Sequence, residues 1–337
     1  MIISNKKILL ITFLLITFLS ISLTVNASET VTDMQGREVE IPDEVNRVIT
    51  TYTPATQFVL ALNAGDKLVS GSSGGPTQKI SKKINSDIMD LPEVGSKREG
   101  INIESVMDLN PDLVIMFPHE DGIETTKKLE DLGISTVIIN PESFSQIKET
   151  IDLLAKILDK ENQGKIIKEE YERIEEISNK ANKISEEDKK SVYFANSEFL
   201  DTVGSKLLQS DMIAKAGGIN SAESVKEGFV KSSAEEIINW NPEVVILSQF
   251  FGGNVDDLKN NNKYQKVSAF KNDEIHRIPS DLEPWDYPSP SSPLMIPWLV
   301  EKLYPEEFQN LDVEGLVNDF YEKVYGVSYS NLAGDLN

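Results

Sequence analysis

The stretch "NIESVMDLNPDLVIMF", Asn102 to Phe117, returns in altered form as "SSAEEIINWNPEVVILSQF", Ser232 to Phe250. Each copy places a glutamate six residues before an Asn-Pro-acid triplet, Glu104 before Asn110 and Glu235 before Asn241, and each ends in a run of branched apolar residues. The residue before a proline is pushed out of the helical region. Each copy therefore reads as a helix, a stop and a buried strand, and the chain as two related α/β units. A common helix-to-strand connection accounts for the Asn-Pro part but not for equally placed glutamates. One glutamate in a first turn complements the helix dipole by about 0.3 to 1 kcal/mol and says little. Two at matching places suggest a surface used as a pair.

Around the echo, strands alternate with helices, which implies mainly parallel sheets covered on both faces. "VTDMQGREVEIP" reads as a hairpin about Gln35-Gly36, "RVITTY" as a buried strand, Pro54 to Asn63 as a short helix and "KLVSG" as a second strand. A helix from about Ile103, the strand "DLVIMF", the helix "GIETTKKLEDLG" and the strand "STVIIN" follow. Apolar residues from Ile147 to Leu158, and again from Ile166 to Ile177 after "DKENQG", keep helical spacing. This segment is too long for a crossover, so it is expected to join two lobes. The alternation restarts with "SVYFAN", a helix stopped by Gly217-Gly218, the second copy of the echo, a short helix in "YQKVSAF" and the strand "EIHRIPS"; Ser292 to Tyr325 is helical. The expected organisation is an N-terminal lobe over 28–160, a backbone helix over 161–185 and a C-terminal lobe over 186–337.

Residues 1–27 differ in kind. Lys6 and Lys7 precede "ILLITFLLITFLSISLTV", and Val25 and Ala27 stand where a signal peptidase prefers small residues. This reads as a cleavable secretory signal and a periplasmic mature chain starting near Ser28. The alternative is an uncleaved membrane anchor, because Ile8 to Val25 reaches the length of a span. The chain has no cysteine, which excludes disulfides, thiolate metal sites, iron–sulfur clusters and a lipidated N-terminal cysteine. Its formal charge of −22 becomes −24 once a segment with two lysines and no acids is removed. Nucleic acid is a poor partner for such a surface.

The sequence resembles the substrate-binding proteins of ABC importers for ferric siderophores, haem and cobalamin. The resemblance rests on "DMQGREVEIP", "RVITTYTPATQFVLALNAGDKLVSG", "LPEVGSKREGINIESVMDLNPDLVI", "LEDLGISTVIINPESFSQIKETIDLLAKIL", "MIAKAGGIN" and "SSAEEIINWNPEVVIL", and covers nearly all of the mature chain. It implies two three-layer Rossmann-like lobes joined by one long backbone helix, no enzymatic activity, no covalently bound cofactor, a monomer, and a permease with its cytoplasmic ATPase as partner. It also implies that Glu104 and Glu235 dock on the permease, with Glu236 adjacent to the second.

In such a fold the ligand lies outside the carboxyl ends of the strands. That rule gathers Tyr52, the "GSKREG" turn, "PHE", "NSEF", "QFFGG" and "LEPWDYPSP", an aromatic set that fits a bulky or planar ligand. Lys97 and Arg98 read either as a fork for an anionic chelate or as a solvated turn. His119 reads as an iron or other metal ligand or as a loop residue, and with two histidines in the chain a converging zinc or manganese site cannot be assembled. Trp285, Asp286 and Tyr287 are candidates for a ligand-facing loop or for a core-closing aromatic cluster. Phe199, Phe229 and Phe250 complete the cleft candidates. A ferric siderophore is the expected ligand, with haem, cobalamin or a nickel or cobalt chelate as alternatives, and an extracytoplasmic sensor as the alternative role. No GxSxG, Walker loop or HExxH supports catalysis.

Overall fold

The computed structural model describes residues 29–72, 75–96, 100–118, 122–226, 228–279 and 282–336. The expected signal segment, Lys97, Arg98 and His119 lie outside the described residues. Among the described residues no helix is long and apolar enough to cross a membrane.

The first half holds a hairpin of β1 (Glu29–Thr32) and β2 (Glu38–Ile41), then β3 (Val48–Thr50), α1 (Thr53–Ala61), β4 (Leu68–Ser70) and α2 (Gln78–Ile84). A small ribbon of β5 (Gly95–Ser96) and β6 (Gly100–Ile101) leads into α3 (Ile103–Asp108), β7 (Leu113–Met116), α4 (Gly122–Asp131) and β8 (Ser135–Ile138). Two helices follow, α5 (Phe144–Ile157) and α6 (Glu161–Ala181). The second half continues with β9 (Ser191–Ala195), β10 (Asp201–Val203), α7 (Leu208–Lys215), β11 (Ile219–Asn220), β12 (Phe229–Lys231), α8 (Ala234–Trp240) and β13 (Val244–Leu247). It closes with α9 (Val255–Lys259), α10 (Ser268–Lys271), β14 (Ile275–Arg277), α11 (Met295–Leu303) and α12 (Val313–Tyr325).

Two four-stranded sheets result, ordered β4-β3-β7-β8 and β11-β9-β13-β14, with every pairing parallel. Numbered within each half, both orders are 2-1-3-4. The duplication is therefore one of topology, and β7 and β13 are the same strand of it.

The Asn-Pro-acid triplet has a structural role in both copies. Asn110 and Asn241 adopt left-handed backbone, φ 42° and 47°, rather than the extended conformation that the sequence reading implies. Asparagine tolerates this region better than other side-chain-bearing residues, so it reverses the chain tightly before the proline. The acid then fixes the neighbouring strand: Asp112 accepts from the backbone N–H groups of Asn46 and Arg47 at 2.8 Å, just ahead of β3. Glu243 accepts from the Ser191 N–H at 3.1 Å, at the start of β9. The hairpin is held to the first sheet by Asp33, which accepts from the Ile138 N–H at 3.1 Å, and by Arg37, which donates to the Thr136 carbonyl at 2.8 Å.

The long helical segment breaks at Asp159, in left-handed backbone at φ 56°, and helix resumes at Glu161. The "DKENQG" break is thus shorter than the sequence suggests, and the backbone helix ends at Ala181 instead of 185. Gly164 lies inside α6 because a Cβ there would stand 2.9 Å from that of Ala155 on α5, so its absence lets the two helices cross closely. Gln163 donates to the carbonyls of Ala61 at 3.1 Å and Val324 at 2.9 Å, tying the ends of α1 and α12 to α6.

Gly164→Leu forces α5 and α6 apart and is expected to cost about 1 to 3 kcal/mol, as overpacking of a close contact does. Urea unfolding of the purified protein checks this; an unchanged or raised midpoint would show that the crossing is not tightly packed.

Candidate functional site

The crevice is built where strand order reverses, beyond the carboxyl ends of β3 and β7 in one lobe and β9 and β13 in the other. Tyr52 ends the β3 segment as the extended residue before α1, with Pro54 in the first turn fixing the helix start. Its buried ring lies 4.5 Å, centroid to centroid, from that of Phe117, which follows β7. From the second lobe Tyr287 meets Tyr52 edge-on at 6.1 Å, and Phe250, which follows β13, meets Tyr287 edge-on at 5.8 Å. Phe117, Tyr52, Tyr287 and Phe250 thus form one chain of rings between the lobes, and the two edge-to-face contacts in it contribute about 0.5 to 1.5 kcal/mol each beyond burial. Burial, then the phenol of Tyr287 and the carboxylate of Glu142, push the Tyr52 phenol well above its ordinary value. Burial likewise raises Tyr287. Both hydroxyls remain protonated donors at neutral pH.

Asp286 holds this arrangement from behind. Its carboxylate accepts from the Ser248 hydroxyl, whose oxygen accepts from the Phe250 N–H at 3.0 Å. The Asp286 carbonyl accepts from the Gln209 side-chain amide at 2.8 Å. Burial pushes the Asp286 carboxyl up to about 6, although the hydrogen bonds it accepts, led by Ser248, pull the other way.

Three consecutive loop residues part company here. Trp285 is wholly buried, its indole N–H 3.4 Å from the Tyr321 hydroxyl and its ring 5.8 Å from Tyr329. The structure therefore puts Trp285 in the core instead of on the cleft surface, Asp286 behind the crevice and Tyr287 in it. Phe199 is half-buried against Tyr193, Tyr264 and Phe270, and it also lines an open recess of about 740 Å³ with Phe250, Phe251 and Asn254. Phe229 is 61% exposed on β12 and touches none of the four rings. The sequence reading did not single out Phe117, Glu142, Gln209 and Ser248. Phe117 and Ser248 were detectable, being the first residues beyond corresponding strands of the repeat. Among the described residues no group of three or more His, Asp or Glu could hold a metal ion.

Glu104 and Glu235 are exposed in the first turns of α3 and α8. Asn102 caps the first helix by accepting from the Ser105 N–H at 3.1 Å. Ser233 and Glu236 form a reciprocal capping box on the second, with contacts of 2.7 Å and 3.2 Å, and these hydrogen bonds hold Glu236 below the usual carboxylate range. Glu236 is thus engaged in its own helix, which leaves Glu235 as the counterpart of Glu104. Among the described residues neither glutamate forms an ion pair.

Two α/β lobes, each built on a parallel sheet of the same strand order, are the architecture of a two-lobed solute-binding protein. The chain belongs to the periplasmic binding protein family, whose shared sequence pattern matches residues 48–282, and within it to the extracytoplasmic substrate-binding proteins of ABC importers, which take a small-molecule ligand and a permease partner. It is 28% identical to the molybdate-binding protein MolA of Haemophilus influenzae over 92% of this chain and 94% of that protein. The solved structure of that protein bound to molybdate superposes with a TM-score of 0.79 at 26% identity, covering 91% of this chain and all of that one. A vitamin B12-binding protein of Vibrio campbellii is also 28% identical, over 60% of this chain and 70% of its own length.

Ionising Asp286 in place costs stability. Its folded value of about 6 lies above the unfolded value of 3.8, so its stabilising share is complete below about pH 4 and is lost as pH rises through 6, by about 3 kcal/mol at most. Asp286→Asn keeps an acceptor for Ser248 and is expected to flatten the decline of unfolding free energy between pH 4 and 6. Parallel wild-type and variant curves would show that Asp286 is not the titrating group.

Proposed function

We propose that this chain captures a compact, anionic, metal-containing solute, an oxyanion such as molybdate or a small anionic chelate, and delivers it to an ABC permease. The observation that supports this most is the contact of Tyr52 with Tyr287 across the lobes. Rings that meet across the two lobes at 6.1 Å narrow the space for a corrin or a haem between them, whereas two protonated phenols suit a small acceptor-rich ligand. The likeness to the molybdate-binding relative, extending over nearly the full length of both chains, favours the same class over cobalamin.

A short-armed ferric siderophore is the second reading. It is favoured by the adjacency of Lys97 and Arg98 in the sequence, because a guanidinium binds catecholate or carboxylate oxygens in a fork. On either reading Glu104 and Glu235 are the groups that orient the loaded protein on the permease. An exposed acidic pair acts mainly on encounter and register.

Calorimetry on the chain from Ser28 onward, with molybdate, tungstate, a ferric catecholate siderophore, haem and cobalamin as probes, tests the ligand class. Saturable binding of molybdate or tungstate is expected, weakened about ten-fold by Tyr52→Phe or Tyr287→Phe, the value of one hydrogen bond to a charged group. Saturation by cobalamin or haem with no response to the oxyanions would overturn the reading, and saturation by the ferric siderophore alone would move it to the chelate.

A further inference from the structure

Six large apolar side chains are exposed among the described residues, and two of them, Met107 at 43% and Ile238 at 37%, occupy matching places in the repeat. Asn102 and Ser233, Glu104 and Glu235, Met107 and Ile238, and Asn110 and Asn241 are each separated by the same 131 positions. Met107 and Ile238 stand three residues beyond their glutamates, so each lies one turn along the same helical face. Packing does not require them: the residues just before them, Val106 and Ile237, are fully buried and anchor α3 and α8 to their sheets. An exposed carboxylate with an exposed apolar neighbour, repeated on both lobes, is more than the fold needs.

We infer that each lobe carries a two-part docking face, in which the glutamate supplies register and the apolar side chain one turn on supplies the buried contact. The partner that fits is one that offers a basic group beside an apolar seat, and offers it twice. This rests on the reading of Glu104 and Glu235 as permease-docking groups, and it commits to the membrane-embedded permease, a pair of like subunits, as the occupant. Charge complementarity with the exposed Glu104 and Glu235, on a chain whose formal charge is −24 without the two lysines of the expected signal, favours the basic element. A desolvated apolar contact at the centre of an interface holds a complex together more than a rim charge does, and loss of such a contact appears in the dissociation rate.

The test is binding of fluorescently labelled protein to right-side-out membrane vesicles from the organism that encodes the chain, over a range of ionic strength. Three proteins are compared: wild type, Met107→Gln with Ile238→Gln, and Glu104→Ala with Glu235→Ala. The glutamine pair is expected to bind at least ten-fold more weakly through faster dissociation, with the salt slope of the wild type. The alanine pair is expected to lose that slope. All four side chains are exposed, so thermal midpoints should match and exclude misfolding. Wild-type binding by the glutamine pair, with the alanine pair impaired, would overturn the two-part face and leave the docking glutamates standing. No effect of either pair, or no saturable binding by the wild type, would overturn both.

Discussion

Tyr171, wholly buried on α6, lies between the ring of Phe144 at 5.4 Å and that of Phe320 at 6.4 Å, and its hydroxyl donates to the Pro290 carbonyl. One side chain thereby joins the first residue of α5, the C-terminal helix and the proline-rich loop that carries Tyr287. Beside it, the buried Glu170 carboxylate pairs with Arg173 on its own helix and with Lys323 on α12. The C-terminal helix, placed with the second lobe in the sequence reading, packs against both α6 and α1. A junction made of one continuous helix clamped on several sides does not hinge as a pair of flexible strands does.

The crevice inherits its geometry from that clamp. Because Pro290 is held by Tyr171 and Asp286 by Ser248, the loop between them has Tyr287 pinned from both sides. Its ring then meets Tyr52 of the opposite lobe. The polar groups behind it are costly: Asp286 is ionised only against its burial, and Glu283, raised by burial in the same loop, accepts from the Tyr321 hydroxyl at 2.6 Å. Buried carboxylates in one short loop are poor stabilisers of a fold and good determinants of one geometry, a use better attested for specificity than for stability.

Much of the scaffold was legible because strands and helices carry different hydrophobic periods. The runs "LVIM" and "VVIL" became β7 and β13, and Gly217 closed α7 in left-handed backbone as its position implied. Short antiparallel pieces such as β10 with β12 were not legible, since three residues carry no period. The crevice was read only in part. Residues within a few positions of a strand end, such as Tyr52 after β3 and Phe250 after β13, could be placed by counting from that end. Trp285 could not, because a proline-studded loop has no periodicity to say which of three successive side chains turns inward. Phe117 was overlooked as the last letter of an apolar run, although its copy in the repeat begins the turn that holds Phe250.

The repeat divides into a part that the fold explains and a part that it does not. The left-handed asparagines, the prolines, the acids that receive the N–H groups of the neighbouring strands, and the buried Val106 and Ile237 all build the same corner twice. In both halves of this chain that corner forms the entry to the third strand of a 2-1-3-4 parallel sheet. Glu104 and Glu235 make no such contact. Each stands in a first turn already capped by another side chain, Asn102 or Ser233, so the helix gains little more from it. What the corner contributes to these glutamates is position: a capped helix, a tight reversal and a strand fixed at both neighbours hold a solvent-facing carboxylate in the same place on each lobe. Structural rigidity at a residue with no structural partner is what a recognition surface requires, and under the proposed docking role its duplication ties the shape of the binding partner to the internal symmetry of the chain.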